Sequence, residues 1–138
     1  MKNIALLVIS LLVLTMLGCG NSKVDLGGKV TYSDTGEPLE TGTVAFATDT
    51  FFARGVLKDG TYVVSSEAHQ DGLPPGLYKV YISGADRQIG IDGNGVPILE
   101  PLIDPKHSSA ETSGLTLEVT AETKTFDIVV DRYVPPGR

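Results

Sequence analysis

The chain has 138 residues and carries 17 acidic against 11 basic side chains, so its formal net charge at pH 7 is −6. The basic residues form no cluster, which argues against nucleic acid as a partner, because binding to phosphates requires grouped Lys and Arg. A single cysteine cannot form an internal disulfide, and two histidines leave little for a metal cage or a catalytic triad.

Residues 1–18 have the pattern of a secretory signal peptide. A short basic start precedes an apolar run over 4–17, and Gly18 then comes directly before Cys19. The run is shorter than the roughly 20 apolar residues that a membrane-spanning helix needs. We therefore predict cleavage between Gly18 and Cys19.

The residues around the cleavage point indicate a lipid anchor. Met16-Leu17-Gly18-Cys19 resembles the bacterial lipobox, which implies that Cys19 is acylated and becomes the new N-terminus. Because two or more acyl chains hold a protein stably on a membrane, we expect a bacterial envelope lipoprotein, with residues 19–25 as lipidated cysteine and tether. Gly20 favours the outer membrane by resemblance to known sorting rules. An ordinary signal peptide, or an uncleaved membrane anchor, with an incidental cysteine is the alternative.

Residues 26–132 alternate between apolar and polar side chains in short segments, and residues 133–138 form a C-terminal tail. Strict alternation predicts antiparallel strands with one buried face. The apolar positions are Leu26, Val30 and Tyr32; Val44 and Phe46; Tyr62 and Val64; Tyr78, Val80 and Ile82; Leu115, Leu117 and Val119; Phe126, Ile128 and Val130. Six or seven such strands, with no helical stripe, predict an all-β sandwich. Segment 51–57 suggests a further strand of uncertain facing, and segments 65–75 and 84–114 are predicted long loops.

Several motifs along this region resemble those of a carboxypeptidase regulatory-like domain. In chain order they are Gly28-Lys29-Val30-Thr31-Tyr32, Gly36-Glu37-Pro38-Leu39, Gly42-Thr43-Val44-Ala45-Phe46, Asp59-Gly60-Thr61-Tyr62, Leu73-Pro74-Pro75-Gly76-Leu77-Tyr78 and Phe126-Asp127-Ile128. Segment 103–117 also resembles a part of small bacterial lipoproteins built on this domain. The resemblance spans most of residues 24–131. It implies a seven-stranded transthyretin-like (prealbumin-like) Greek-key sandwich.

The chemistry of known relatives on this fold argues against an enzyme. Hydroxyisourate hydrolases need a His/Arg cluster and a Tyr-Arg-Gly-Ser ending, and zinc carboxypeptidases need a His-x-x-Glu pair. Neither His69 nor His107 lies in such a pattern, and the chain ends in Pro-Pro-Gly-Arg. We therefore expect no catalytic residue, no metal site and no cofactor.

Candidate binding residues lie in the second long loop and on one strand. Asp86, Asp92 and Asn94 carry oxygens that suit Ca²⁺, although their spacing does not meet the EF-hand pattern and fits ordinary turns better. Tyr81 points outward by alternation.

The expected function is a non-catalytic module that contacts an envelope component through loops 65–75 and 84–114. A carbohydrate-binding module is the alternative, with Tyr81, Phe51, Phe52 and Tyr133 as the aromatic side chains available for stacking on a sugar.

Overall fold

The structure, a computed structural model, describes residues 25–64 and 72–137. The elements are β1 (Gly27–Tyr32), β2 (Thr43–Ala47), β3 (Phe52–Val56), β4 (Thr61–Val63), β5 (Gly76–Ser83), β6 (Asp86–Ile91), β7 (Pro97–Pro101), a 3₁₀ helix (Pro105–Ser108), β8 (Leu115–Val119) and β9 (Ile128–Val130). Within these two ranges, no helix is long and apolar enough to cross a membrane.

Seven of the strands form two sheets around one core. One sheet has the order β4-β1-β9 and the other β3-β2-β5-β8. The β1–β9 pair is parallel, whereas β1–β4 and all pairs of the larger sheet are antiparallel. The predicted all-β, seven-stranded sandwich is therefore confirmed. The remaining strands, β6 and β7, pair with each other as a separate two-stranded sheet.

The alternating apolar residues form the core between the two sheets. Val30, Val44, Phe46, Tyr78, Val80 and Ile82 are almost completely buried, as are Ile128 and Val130. The ring of Phe46 lies 6.0 Å from that of Tyr62 and 6.4 Å from that of Phe126, so aromatic contacts connect both sheets. The alternation identified the buried face of nearly every strand, because each of these strands has one face in water.

Segment 51–57 contains β3, and the structure settles which side faces inward. Ala53 and Gly55 are buried, whereas Phe52, Arg54 and Val56 are exposed. A Cβ at Gly55 would lie 2.7 Å from the carbonyl oxygen of Val63, so the backbone of β4 occupies the space that a side chain would need. The small inward residues explain why hydrophobicity did not reveal the facing.

The prediction that 84–114 is a loop is wrong. The segment contains the hairpin β6–β7 and the 3₁₀ helix before β8 begins. Both faces of the hairpin lie in water, so its sequence lacks the alternation that marks a half-buried strand. The ladder also shifts register between Gln88 and Gly90, which interrupts any period-two pattern there.

Candidate interaction surface

The most unusual surface of the molecule is the β6–β7 hairpin, residues 86–101, here called the arm. All residues from Ile91 to Leu99 are exposed. Five large aliphatic side chains of the arm are exposed: Ile89 57%, Ile91 63%, Val96 56%, Ile98 44% and Leu99 58%. Contiguous exposed apolar surface of this kind marks interaction sites in soluble proteins.

The tip of the arm is built by Asp92. Its Oδ1 accepts backbone N–H groups from Asn94 at 2.8 Å and from Val96 at 2.9 Å. The carboxylate thus closes the turn, and these two bonds hold one of its oxygens. Asp86 lies at the other end of β6, about 20 Å away for an extended strand of this length. The arm therefore separates Asp86 from Asp92 and Asn94, and these residues do not form one calcium site.

The described ranges contain no group of three or more His, Cys, Asp or Glu side chains that could hold a metal ion.

The register divides the arm into two different faces. Ile91 pairs with Pro97, and Leu99 and Pro101 follow on the same side of β7. We call these four residues the aliphatic face. The opposite face carries Ile98 and an ion pair in which Arg87 Nε donates to Glu100 Oε2 at 2.8 Å. Asp86, the cross-strand partner of Pro101, lies on the same side as the aliphatic face, so each side of the arm carries charge near its root.

The outer edge of β7 has few backbone donors. The N–H of Leu102 donates to the carbonyl of Ala85 at 2.8 Å, so the backbone N–H of Leu102 points toward the β6 side of the hairpin. Because successive residues of a strand point their backbone groups to opposite edges, Pro101 faces the outer edge of β7. At the tip, Asp92 N–H donates to Val96 O at 2.9 Å, which places Pro97 outward as well. Prolines there remove N–H groups that an added strand would need.

The root of the arm is fixed to the end of β1 by the segment after β9. Tyr133 N–H donates to Leu102 O at 3.1 Å. The guanidinium of Arg132 lies 3.8 Å from the ring centre of Tyr32 and donates to Asp34 at 3.0 Å. Sequence reasoning missed Arg132, because a single arginine after a strand carries no signal until the fold places Tyr32 beneath it.

An open cleft adjoins the root. It has a volume of about 300 Å³ and is lined by Tyr32, Glu37, Pro38, Glu40, Leu102 and Arg132. Arg132 also donates toward Glu37 and Thr35 at 3.4 Å. Arg132, the only basic residue among the described ones that line this cleft, therefore already donates its hydrogen bonds to acidic and hydroxyl groups of the β1–β2 connection. This favours a structural role for Arg132.

The arm and the N-terminal entry lie at opposite ends of the sandwich. The chain enters at Leu26, whose carbonyl accepts the N–H of Val64, and continues directly into β1. Tyr32, at the other end of β1, contacts Arg132 beside the root of the arm. Six residues of strand correspond to about 20 Å, so the arm extends from the end of the sandwich that is far from Leu26.

His107 lies in the 3₁₀ helix and is buried. Its Nε2 accepts the N–H of Asp131 at 3.0 Å, so the ring is neutral with its proton on Nδ1, which has no hydrogen-bond partner among the described residues. Burial lowers the pKa of His107, and the adjacent Lys106 lowers it further. Asp131 also pairs with Lys106, whose hydrogen bond depresses the pKa of Asp131 to about 2.

His107 links the 3₁₀ helix to the segment after β9 through this hydrogen bond. Its Nε2 accepts the N–H of Asp131 and is therefore not available to bind a metal ion or to act as a base. His69 lies outside the described residues.

The aromatic candidates for sugar binding are spread over different places. Phe52 is 44% exposed on the outer face of the larger sheet, and Tyr81 is half-buried on the same face, two strands away. Phe51 packs edge-on against Tyr78 at 6.3 Å, which commits it to the core. Tyr133 is half-buried near the arm. Tyr81 belongs to β5, so it is a strand residue outside the predicted binding loops.

The predicted cleavage and lipidation residues, Gly18 and Cys19, lie outside the described residues.

Comparison with known proteins identifies no family for this chain. No family model matches the chain, and no curated protein matches it. Among solved structures, the chain is similar to the major pilin subunit of Bacillus cereus, with 11% identity and a TM-score of 0.44. A 9R-lipoxygenase from Cyanothece is similar with 15% identity and a TM-score of 0.38.

The matches cover 80% and 85% of this chain but span only 30% of the pilin and 18% of the lipoxygenase.

Proposed function

We propose that this chain is a non-catalytic, lipid-anchored interaction module of the bacterial cell envelope, and that the arm contacts its partner. The exposed aliphatic side chains of the arm are the observation that carries the proposal, because the sandwich core does not need them. Their position far from the N-terminal entry suits a domain that is held at one end and binds at the other.

The energy available at the arm fits a reversible contact. Full burial of an aliphatic side chain contributes about 1.5–3 kcal/mol, so one that is already half-buried retains about 1 kcal/mol for a partner. The five side chains together offer about 5 kcal/mol. Association costs on the order of 4–15 kcal/mol in lost freedom, so a partner must add further contacts or be held nearby.

Anchoring by Cys19 would hold the domain near a membrane without other lipid contacts. With a net charge of −6, the chain is repelled by anionic lipid. The proposed location is the bacterial cell envelope, with the outer membrane or the periplasmic face favoured. Metabolic labelling with an alkyne analogue of palmitate tests this: we expect label on the wild-type chain and none on Cys19→Ala. Equal labelling of both would contradict the anchor.

In-cell photo-crosslinking tests the role of the arm. A photoreactive phenylalanine analogue at Leu99 should give one defined protein adduct. The same analogue at Val63, which is 73% exposed on β4, is the matched control. Adducts of equal yield at both positions, or none at Leu99, would overturn a contact through the arm.

A carbohydrate-binding module is the second candidate. Phe52 is the cross-strand partner of Ala47, and Ala47 lines an open cleft of about 370 Å³. The other residues that line the cleft are Thr48, Asp49, Leu77, Lys79, Ala110, Glu111 and Thr116. Carboxylates, an ammonium and a hydroxyl next to an exposed ring match the groups that bind sugars. Glycan-array binding that is lost in Phe52→Ala, and kept in Val56→Ala on the same strand, would favour this candidate over the arm.

A further inference from the structure

We propose that His107 is a pH switch at the attachment of the arm: when its Nε2 takes up a proton, it gives up the backbone N–H of Asp131 and pairs with the carboxylate of the same residue. The segment that holds the root of the arm is then released on one side. The inference rests on the proposed function in treating the arm as the contact surface, and it adds how that surface is regulated.

The root of the arm is held by the segment that follows β9, residues 131–133. Asp131 O accepts the N–H of Asp104 at 2.9 Å, and Tyr133 N–H donates to Leu102 O at 3.1 Å. Leu102 comes directly after β7. A displacement of Asp131 is therefore passed to the end of the arm.

His107 fixes Asp131 from the other side. Its Nε2 accepts the Asp131 N–H at 3.0 Å. The ring is buried, and Nδ1 has no hydrogen-bond partner among the described residues. A second proton on the ring must go to Nε2, because Nδ1 already carries the first. Protonation of Nε2 and acceptance of the Asp131 N–H exclude each other, since two N–H groups would then face each other.

The carboxylate of Asp131 is the alternative partner of the protonated ring. Its Oδ2 lies 3.7 Å from His107 Nε2, so a movement of about 1 Å brings the two atoms to hydrogen-bond distance. The hydrogen bond from Lys106, more than the one from Ser33, lowers the pKa of Asp131 to about 2. The carboxylate therefore remains charged in mild acid and can accept the imidazolium N–H. The same residues thus have two discrete arrangements, and the proton selects between them.

The surroundings of the ring keep it neutral at neutral pH. Burial is the largest cause that lowers the pKa of His107, and the adjacent Lys106 lowers it further. Asp131 and Asp104 act in the opposite direction without outweighing these two. The arm is therefore held at neutral pH, and its root is released in acid.

The strand that packs against the 3₁₀ helix, β5, adds no charge on the side of the ring. Lys79, its one charged residue, is exposed on the outer face of the sheet. Tyr78, on the inner face, donates its hydroxyl to Pro74 O at 2.7 Å, and burial raises its pKa, so it stays neutral in acid. The titration of the ring therefore depends on the charges of its own helix and of the segment after β9.

NMR of the full chain in detergent micelles, titrated from pH 7.5 to about 4.5, tests the switch. The ¹⁵N shifts of the His107 ring should report the Nδ1–H tautomer at the upper end and the imidazolium at the lower end. Across the same transition, the protection of the Asp131 and Tyr133 amides against hydrogen exchange should fall about tenfold, which corresponds to one lost hydrogen bond.

Three variants separate a switch from a histidine that only supports the fold. His107→Gln can still accept the Asp131 N–H and does not titrate, so protection of the two amides should not change with pH. Lys106→Gln removes the neighbouring cation and frees Asp131 Oδ2, so the midpoints of the ring and of both amides should move together to higher pH. Lys58→Gln, an equal change of charge at an exposed position, is the matched control and should leave the midpoints in place.

Failure of the switch and failure of the contact surface give different results. A ring that titrates while the Asp131 and Tyr133 amides keep their protection would overturn the switch, as would a ring that stays neutral down to pH 4.5. The same loss of protection in His107→Gln would also overturn it. A photo-adduct at Leu99 together with a flat exchange profile would retain the arm as the contact surface and overturn the switch alone. The expected exchange profile without an adduct would support the switch and overturn the contact through the arm.

Discussion

Replacing Gly28 with alanine places a methyl group where two chain segments already touch. An ideal Cβ at Gly28 would lie 2.1 Å from the carbonyl oxygen of Phe126 and 3.1 Å from Oη of Tyr62. The Tyr62 hydroxyl donates to that same oxygen, and Phe126 N–H donates to Gly27 O at 3.0 Å. The segment before β9 must move by about 0.9 Å to reach the 3.0 Å that real Cβ contacts require.

The cost follows from the contacts that this movement breaks. Overpacking of a rigid site costs about 1–3 kcal/mol. Loss of the Tyr62 hydrogen bond adds about 1 kcal/mol, because the partly buried carbonyl of Phe126 is left with a weaker partner. We expect Gly28→Ala to lower the free energy of unfolding by about 3 kcal/mol, which corresponds to roughly 10 °C in Tm for a domain of this size.

Urea denaturation followed by far-UV circular dichroism measures this difference. Gly93→Ala is the matched control, because a Cβ there meets nothing within 4 Å and its φ is not positive. The control should stay within about 0.5 kcal/mol of the wild type. If Gly28→Ala is as stable as Gly93→Ala, the close approach of Phe126 does not limit the fold and the reasoning fails.

Three further predictions concern single polar groups. Tyr62→Phe should cost about 1–2 kcal/mol by chemical denaturation, since it leaves the Phe126 carbonyl unpaired. Burial lowers the pKa of His107 below its ordinary 6.5, so the unfolded chain takes up the proton first and stability should fall as the pH drops below about 6.5. The fall should level off below the folded-state pKa, and His107→Gln, which can still accept the Asp131 N–H, should lose most of it in Tm scans from pH 7.5 to 5. Asp92→Ala removes the acceptor of two turn N–H groups, so amide exchange should speed up in the arm while the Tm of the sandwich stays constant.

Each of these has a result that would contradict it. A Tyr62→Phe variant as stable as the wild type would mean that water replaces the hydroxyl at no cost. An unchanged pH slope in His107→Gln would assign the acid sensitivity to other groups. Faster exchange throughout the sandwich in Asp92→Ala would show that the arm and the core unfold together.

The sandwich strands could be predicted from the sequence because burial on one side imposes a period of two. Val80 and Ile82 are buried while Lys79 lies in water, and the alternation of apolar and charged residues in the sequence already shows this contrast. The buried face of segment 51–57 is not evident from the sequence, because Gly55 faces inward and has no side chain whose hydrophobicity could indicate burial. Hydrophobic patterning marks a position only when a large side chain occupies it.

The candidate surface could be predicted only in part. The ordinary turn expected around Asp92 and Asn94 is present, yet the segment on either side of it forms strands and not the predicted loop. Nothing buries either face of the arm, so its aliphatic residues follow no period. The Arg132–Tyr32 contact joins positions a hundred residues apart in the chain, and only the pairing of β9 with β1 brings them together.

The position of β1 has a mechanical consequence. This strand is the middle of its sheet, hydrogen-bonded to β4 on one side and to β9 on the other, and the polypeptide enters it from residue 26 without an intervening turn. A pull on the N-terminal end acts along the strand axis, across the perpendicular hydrogen bonds to β4 and the slanted ones to β9. Those bonds are loaded in shear and resist together, instead of opening one after another. The strand that receives a pull from the N-terminal side is thereby held by both of its neighbours at once.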